Sequence, residues 1–216
     1  VTSAYEKVAA HYEFMISKGW LTPEARDESL ARISGSVDIE ILKDSDFVIE
    51  AASESMATKK ELFRQLDEMC RPEVILATNT SSLSITEIAS VTKRDDKVIG
   101  MHFFNPAAVM KLVEMIPGYN TSQETIDFAI DMAKRLDKVP IVVTEAPGFV
   151  VNRMLVPMMN EAVSIYAEGL AKAEDIDMAM KLGANHPMGP LALADLVGLD
   201  IVLSIMDVLY EEFREP

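Results

Sequence analysis

The sequence predicts an α/β domain on a mostly parallel sheet, followed by an all-helical domain. Three observations carry that reading. Short continuous apolar runs at Phe47-Val48-Ile49, Val74-Ile75-Leu76-Ala77 and Val98-Ile99-Gly100-Met101 suit strands buried on both faces. Helical stripes lie between them, and strand, helix, strand, helix, strand is the pattern of a parallel sheet wound by right-handed crossovers. Beyond Ala146-Pro147-Gly148 the strand-like runs stop.

The elements follow in order. Tyr5, Val8, Ala9, Tyr12, Met15 and Ile16 recur at spacings of three and four, a helical stripe over residues 3–18 that Gly19 closes. Thr22 as cap and Pro23 in the first turn restart a helix with Ala25, Leu30 and Ile33 as contacts, so the opening is a helical hairpin. Between the first two strands, Leu62, Phe63, Leu66 and Met69 share one face of a helix over residues 59–70, and Ser84-Ile85-Thr86-Glu87 is a capping box opening a helix through Val91. Only Asn105 to Met110 separates Phe104 from the apolar run Lys111-Leu112-Val113-Glu114-Met115-Ile116. A parallel crossover needs about a dozen residues, so these two strands, if neighbours, run antiparallel. A capped helix over 122–136, a strand at Pro140-Ile141-Val142-Val143, and helices at 149–168 (bent by Pro157), 174–182 and 190–213 complete the chain. The boundary near Pro147 gives domains 1–146 and 147–216.

Composition narrows the function. The chain has 216 residues with 20 Lys or Arg against 35 Asp or Glu, a formal charge of −15, which argues against nucleic-acid binding. Hydrophobic residues at 49% and charged residues at 25% are a globular mix. No apolar stretch approaches the roughly 20 residues that cross a bilayer, and no secretory signal is visible. The single cysteine, Cys70, fits a reducing cytoplasm. Three His and one Cys show no metal-ligand spacing, and a GxSxG elbow is absent.

His102 stands at the C-terminal end of a strand, where open α/β sheets collect ligands. Alone it reads first as a core histidine paired with a backbone carbonyl. Glu114 changes that reading, because a carboxylate inside an apolar strand costs several kcal/mol, on the order of one buried ion, unless a partner compensates it. A His held by a buried carboxylate has a fixed tautomer and a basic second nitrogen, as proton abstraction from a hydroxyl requires. Ser81 lies at the mouth of the second strand in Thr78-Asn79-Thr80-Ser81-Ser82-Leu83-Ser84 and can hydrogen-bond a polar substrate, whereas Ser84 reads as a cap. Ala51 is among the small residues after the first strand that admit a flat ligand, with Glu54 and Lys59 placed to grip ribose or phosphate, solvated helix-end charges being the competing reading. Asn152 is an amide on an apolar turn and needs a partner from protein or substrate. His186, in a loop stiffened by Pro187, Gly189 and Pro190, reads as architecture, and the 14 Met residues as core filling.

Six motifs carry a resemblance in order and spacing: Val48-Ile49-Glu50-Ala51-Ala52, Asn79-Thr80-Ser81-Ser82-Leu83, His102-Phe103-Phe104-Asn105-Pro106, Lys111-Leu112-Val113-Glu114, Pro147-Gly148-Phe149-Val150-Val151-Asn152-Arg153 and His186-Pro187-Met188-Gly189-Pro190. The chain resembles the 3-hydroxyacyl-CoA dehydrogenases, the bacterial 3-hydroxybutyryl-CoA dehydrogenases in particular. The resemblance implies an incomplete Rossmann-type dinucleotide-binding domain followed by a helical substrate and dimerisation domain. It also implies reversible oxidation of a 3-hydroxyacyl-CoA to the 3-ketoacyl-CoA with NAD or NADP. On it His102 is the general base, Glu114 orients its imidazole, Ser81 and Asn152 bind the reacting end of the substrate, Asn105 lies beside the nicotinamide, and Ala51, Glu54 and Lys59 match cofactor contacts. An acyl-CoA substrate and a homodimer through the helical domain are the implied partners.

The family's opening strand and Gly-rich phosphate turn have no counterpart here, and the chain stops before the family's last helical segment. The expectation is a dehydrogenase sequence lacking both ends, with weak or no turnover by these residues alone. Two other readings stay open: a non-catalytic truncated dimerising module, and a two-domain 3-hydroxy acid dehydrogenase that does not use CoA.

Overall fold

The computed structural model describes residues 1–214, and contacts divide the chain into two compact units, Val1–Ser45 and the chain from Asp46 onward. The first unit is the expected hairpin of α1 (Thr2–Ser17) and α2 (Pro23–Ala31). Gly19 ends α1 at φ 70°, a left-handed conformation that glycine adopts at little steric cost. Thr22 caps α2 by accepting from Ala25 N at 3.3 Å, and the Tyr5 hydroxyl donates to the Ile33 carbonyl at 3.1 Å, tying the arms together. A short 3-10 turn at Ile39–Leu42, capped by Asp38, has no signal in the hydrophobic pattern.

The second unit opens with a five-stranded sheet in sequence order: β1 (Phe47–Glu50), β2 (Ile75–Thr78), β3 (Val98–Phe103), β4 (Leu112–Pro117) and β5 (Val139–Val142). The pairs β1–β2, β2–β3 and β4–β5 are parallel and β3–β4 antiparallel, as the short connection requires. The crossover helix α3 (Met56–Met69) begins a turn before Lys59 because Ser55 caps it, accepting from Thr58 N. The next, α4 (Ile85–Ala89), stops short of Val91. Past the antiparallel pair, α5 (Gln123–Arg135) is capped by Ser122.

Side chains alternate across a strand, and this alternation places the site. Ile75, Ala77, Ile99, Met101, Val113 and Met115 cluster with Ala129 and Ala133 of α5. His102, Glu114, Gly100 and Ile116 therefore point to the opposite face. There Gly100 is needed for packing: a Cβ on it would stand 2.8 Å from Ile85 Cδ1 and 3.0 Å from Ile116 Cβ, so its absence lets α4 approach the sheet.

The helical part comprises α6 (Val151–Ala167), with Pro157 inside it, α7 (Ala173–Gly183), α8 (Pro190–Val197) and α9 (Leu199–Phe213). The single helix expected over 190–213 is two helices. Gly198 interrupts it at φ 104°, which L-residues rarely adopt. Val156, Met159, Ala194, Val202, Ile205 and Leu209 form the core of this part. The loop before α8 has a specific task, since Asp177 accepts from Leu191 N and Ala192 N at 2.8 and 3.0 Å and caps that helix. A Cβ on Gly189 would fall 2.2 Å from the Asp177 side chain. Among the described residues no helix is long and apolar enough to cross a membrane.

Candidate active site

Residues His102 and Glu114 are direct cross-strand partners in the β3–β4 ladder. The Nδ1 atom of His102 lies 2.8 Å from Glu114 Oε2. Glu114 is fully buried and β4 is an interior strand, so this carboxylate has no access to solvent. Its other oxygen, Oε1, accepts from Val150 N and Val151 N, both at 3.1 Å. These N–H groups open α6, whose N-cap side chain makes no capping bond. The cap comes instead from the sheet, and the helix N-terminus favours the negative charge.

A carboxylate only accepts, so the network assigns the Nδ1 proton to the bond with Glu114 and leaves Nε2 with a lone pair. Among the described residues no buried side-chain nitrogen or oxygen lacks a hydrogen-bond partner. Nε2 makes no such bond there, so the accessible 5% of the His102 side chain includes that nitrogen. Phe104 and Phe149 flank the imidazole, with ring centroids 4.6 and 5.5 Å away. The arrangement can take a proton from a hydroxyl presented at Nε2.

The turn after β2 brings Ser81 and Asn152 together, Asn152 Nδ2 donating to the Ser81 carbonyl at 3.4 Å. Glu54 holds that turn: its Oε1 accepts from the Thr80 hydroxyl at 2.6 Å, Ser81 N at 2.7 Å and Ser82 N at 3.2 Å. Asn79 Oδ1 accepts from Phe103 N at 2.8 Å, joining the exits of β2 and β3. Ala51 and Asn105 are exposed at the same carboxyl edge.

The reading that lets Lys59 grip ribose or phosphate is corrected by its burial. Lys59 is 1% exposed, with Nζ 3.0 Å from both oxygens of Glu50 and 3.5 Å from Glu54 Oε2. Glu50 ends β1 in the interior and takes further bonds from Thr78 Oγ1 and Ala52 N. A buried carboxylate needs compensating partners, and Lys59 is the cation that compensates Glu50, so its ammonium is committed inside the protein. The sequence reading did not assign Glu50 this part, because a Glu ending an apolar run looks like any strand terminus.

A cleft of about 510 Å³ lies beside Phe149, bounded by Ser82, Leu83, Glu145, Pro147 and the end of α9 at Glu211 and Glu212. The exposed Ala51-Ala52-Ser53 stretch leaves the edge of the sheet uncovered by large side chains, with Ser81 and Asn105 at the neighbouring strand exits. Those residues would hold a flat ring there.

The comparisons with known proteins point to one family. Residues 1–146 match the NAD binding domain of 3-hydroxyacyl-CoA dehydrogenase and residues 148–216 its C-terminal domain. A 3-hydroxybutyryl-CoA dehydrogenase of Clostridioides difficile is 60% identical over 201 residues, 93% of this chain and 72% of that protein. A probable 3-hydroxybutyryl-CoA dehydrogenase of Bacillus subtilis is 54% identical over 89% of this chain and 67% of its own length. The crystal structure of (S)-3-hydroxybutyryl-CoA dehydrogenase from Ralstonia eutropha superposes with a TM-score of 0.96 at 50% identity, covering the whole of this chain and 76% of that one. With both domain models matched along its length and the expected fold in place, the chain belongs to the 3-hydroxyacyl-CoA dehydrogenase family.

Proposed function

We propose that His102 is the general base of an NAD-dependent oxidation of 3-hydroxyacyl-CoA, 3-hydroxybutyryl-CoA being the substrate favoured by the relatives' names. The observation that carries this reading is the 2.8 Å bond from Nδ1 to the buried Glu114, which leaves Nε2 as the basic atom. NAD held at this edge would supply the acceptor for the hydride that leaves C3 of the substrate. His102 Nε2 takes the proton of the C3 hydroxyl as that hydroxyl becomes a ketone, and returns it in the reductive direction. Glu114 holds the tautomer and balances the imidazolium that forms. The Ser81 hydroxyl and the Asn152 amide, adjacent through the Ser81 carbonyl, hydrogen-bond the reacting oxygen and the thioester. Ala51, Ser81 and Asn105 would border a bound nicotinamide, with Glu54 acting by fixing the Ser81 turn.

In this reading residues 1–146 supply the cofactor side and residues 147–216 the substrate side and the dimer contact. The helices leave Leu196, Leu199 and Leu203 more than half exposed, an apolar face suited to a second copy of the chain. A reducing cytoplasm is the compartment that suits the lone cysteine.

The test is consumption of NADH with acetoacetyl-CoA, compared with free 3-keto acids and with NADPH, in the parent and His102→Gln proteins. The base assignment requires His102→Gln to lose about 10²- to 10⁴-fold in kcat. Equal turnover of the two proteins, at a rate measurable in the parent, would end it. Light scattering that gives one copy per particle would remove the dimer.

A further inference from the structure

We infer that Glu145 is a positioning residue for the imidazole of His102, acting through the connection between β5 and α6. Its carboxylate reaches back to the start of α4. Oε1 accepts from the Ser84 hydroxyl at 2.8 Å and from Thr86 N at 2.9 Å, and Oε2 accepts from the Thr86 hydroxyl. The same Thr86 oxygen accepts from Tyr119 N at 2.8 Å, so one carboxylate fastens the connection to α4 and to the turn after β4 at once. Five residues further on, Val150 N and Val151 N are fastened to Glu114. The chain between the two anchors is thereby fixed at both ends.

What lies between them is the wall of the site. Phe149 N donates to the Ala146 carbonyl at 3.0 Å, and Gly148 and Phe149 take φ values of 71° and 52°. A left-handed phenylalanine is an unfavourable conformation that persists only where its surroundings over-determine it. Phe149 is 3% exposed with its ring against His102. Releasing the Glu145 end lets this strained stretch relax, moves the Phe149 ring off the imidazole and loosens the two N–H groups that orient Glu114. Glu145 makes no hydrogen bond or ion pair with His102 or Glu114 among the described residues, so its effect travels through the connection. The inference rests on His102 being the base, but its primary readout does not depend on turnover.

The experiment is ring-nitrogen NMR of His102 in the full chain carrying Glu145→Ala or Glu145→Gln, with folding checked by circular dichroism. The parent shows one tautomer, protonated at Nδ1. In Glu145→Ala the His102 nitrogen signals move toward those of a mobile, mixed-tautomer ring. In Glu145→Gln, which keeps an acceptor for Ser84 and Thr86 N, they return most of the way to the parent positions. His11 and His186 stay unchanged as internal references. In an active preparation kcat falls about tenfold or more in Glu145→Ala with KM for NADH unchanged, since a misplaced group costs rate rather than cofactor binding. Unchanged His102 signals in a folded Glu145→Ala chain would overturn the inference. Should that variant fail to fold, Thr86→Val removes the hydroxyl anchor alone, and the same spectrum decides.

Discussion

Replacing Glu114 by Gln separates the two duties of that side chain. Oε1 accepts from Val150 N and Val151 N, while among the described residues Oε2 bonds only His102 Nδ1. A glutamine can place its carbonyl at one end and its amide nitrogen at the other. With the nitrogen toward α6, two buried N–H groups would face a donor, at about 1–3 kcal/mol each. With the nitrogen toward His102, the imidazole need only move its proton from Nδ1 to Nε2. The second arrangement wins, so the helix cap survives and the base is lost. Stability falls by about 1–2 kcal/mol, the worth of a charge in a favourable position at a helix N-terminus. Turnover falls by about 10² to 10⁴, the usual contribution of a general base, or roughly 3–5.5 kcal/mol at 1.36 kcal/mol per decade. The assay pairs urea unfolding with ring-nitrogen NMR, which reads the tautomer whether or not the preparation turns over. A folded variant with Nε2 still unprotonated, or with kcat within about threefold of the parent, would refute the reasoning. Glu114→Ala makes the contrast: it leaves all three donors without an acceptor and lowers stability by about 3–5 kcal/mol, as breaking a buried pair does.

Further expectations follow from the other buried groups and from one exposed pair. Lys59→Met leaves Glu50, 6% exposed, without its cation and lowers unfolding free energy by about 3–5 kcal/mol; Lys59→Met with Glu50→Gln recovers most of it in urea titrations, and an unrecovered double variant would discard the pairing argument. Burial pushes the Cys70 thiol up, Arg94 opposing in part, so alkylation at neutral pH is slow in the folded chain and fast in denaturant; equal rates would show the thiol accessible. Lys111, hydrogen-bonded to Asp137, holds that exposed carboxyl below its ordinary value of 3.8. A depressed native pKa contributes stability above the unfolded value that is lost as pH falls through the native one. Asp137→Asn is therefore slightly less stable than the parent at pH 7, the two converge below pH 3.8, and added salt shrinks the difference. A gap that persists in acid would contradict the pairing.

How much of this was legible depended on whether a residue's neighbours in sequence were also its neighbours in space. Parallel strands, caps at Thr22, Ser84 and Ser122, and the antiparallel turn at β3–β4 are local, and each left a pattern within a few positions. Glu114 was legible for a different reason: a carboxylate inside an apolar strand is too costly to stand alone, and a six-residue connection brings only one candidate, His102, within reach. Lys59 lacked such a constraint. On a helix with several charged neighbours nothing in the sequence separates a lysine that snorkels to water from one that turns inward, and the decision lay with Glu50, whose burial follows from sheet order. The break at Gly198 was equally silent, since a glycine inside an apolar helical stripe lowers helix stability by only about 1 kcal/mol, and its φ of 104° is set by how α8 and α9 pack. Glu145 sits furthest from legibility: its three donors come from Ser84 and Thr86, about sixty positions away. A capping box read in isolation assigns Ser84 and Thr86 to their own helix. The same hydroxyls also fasten the connection that carries Phe149, so the local signal was correct and incomplete, and the missing part was the one that reaches the site.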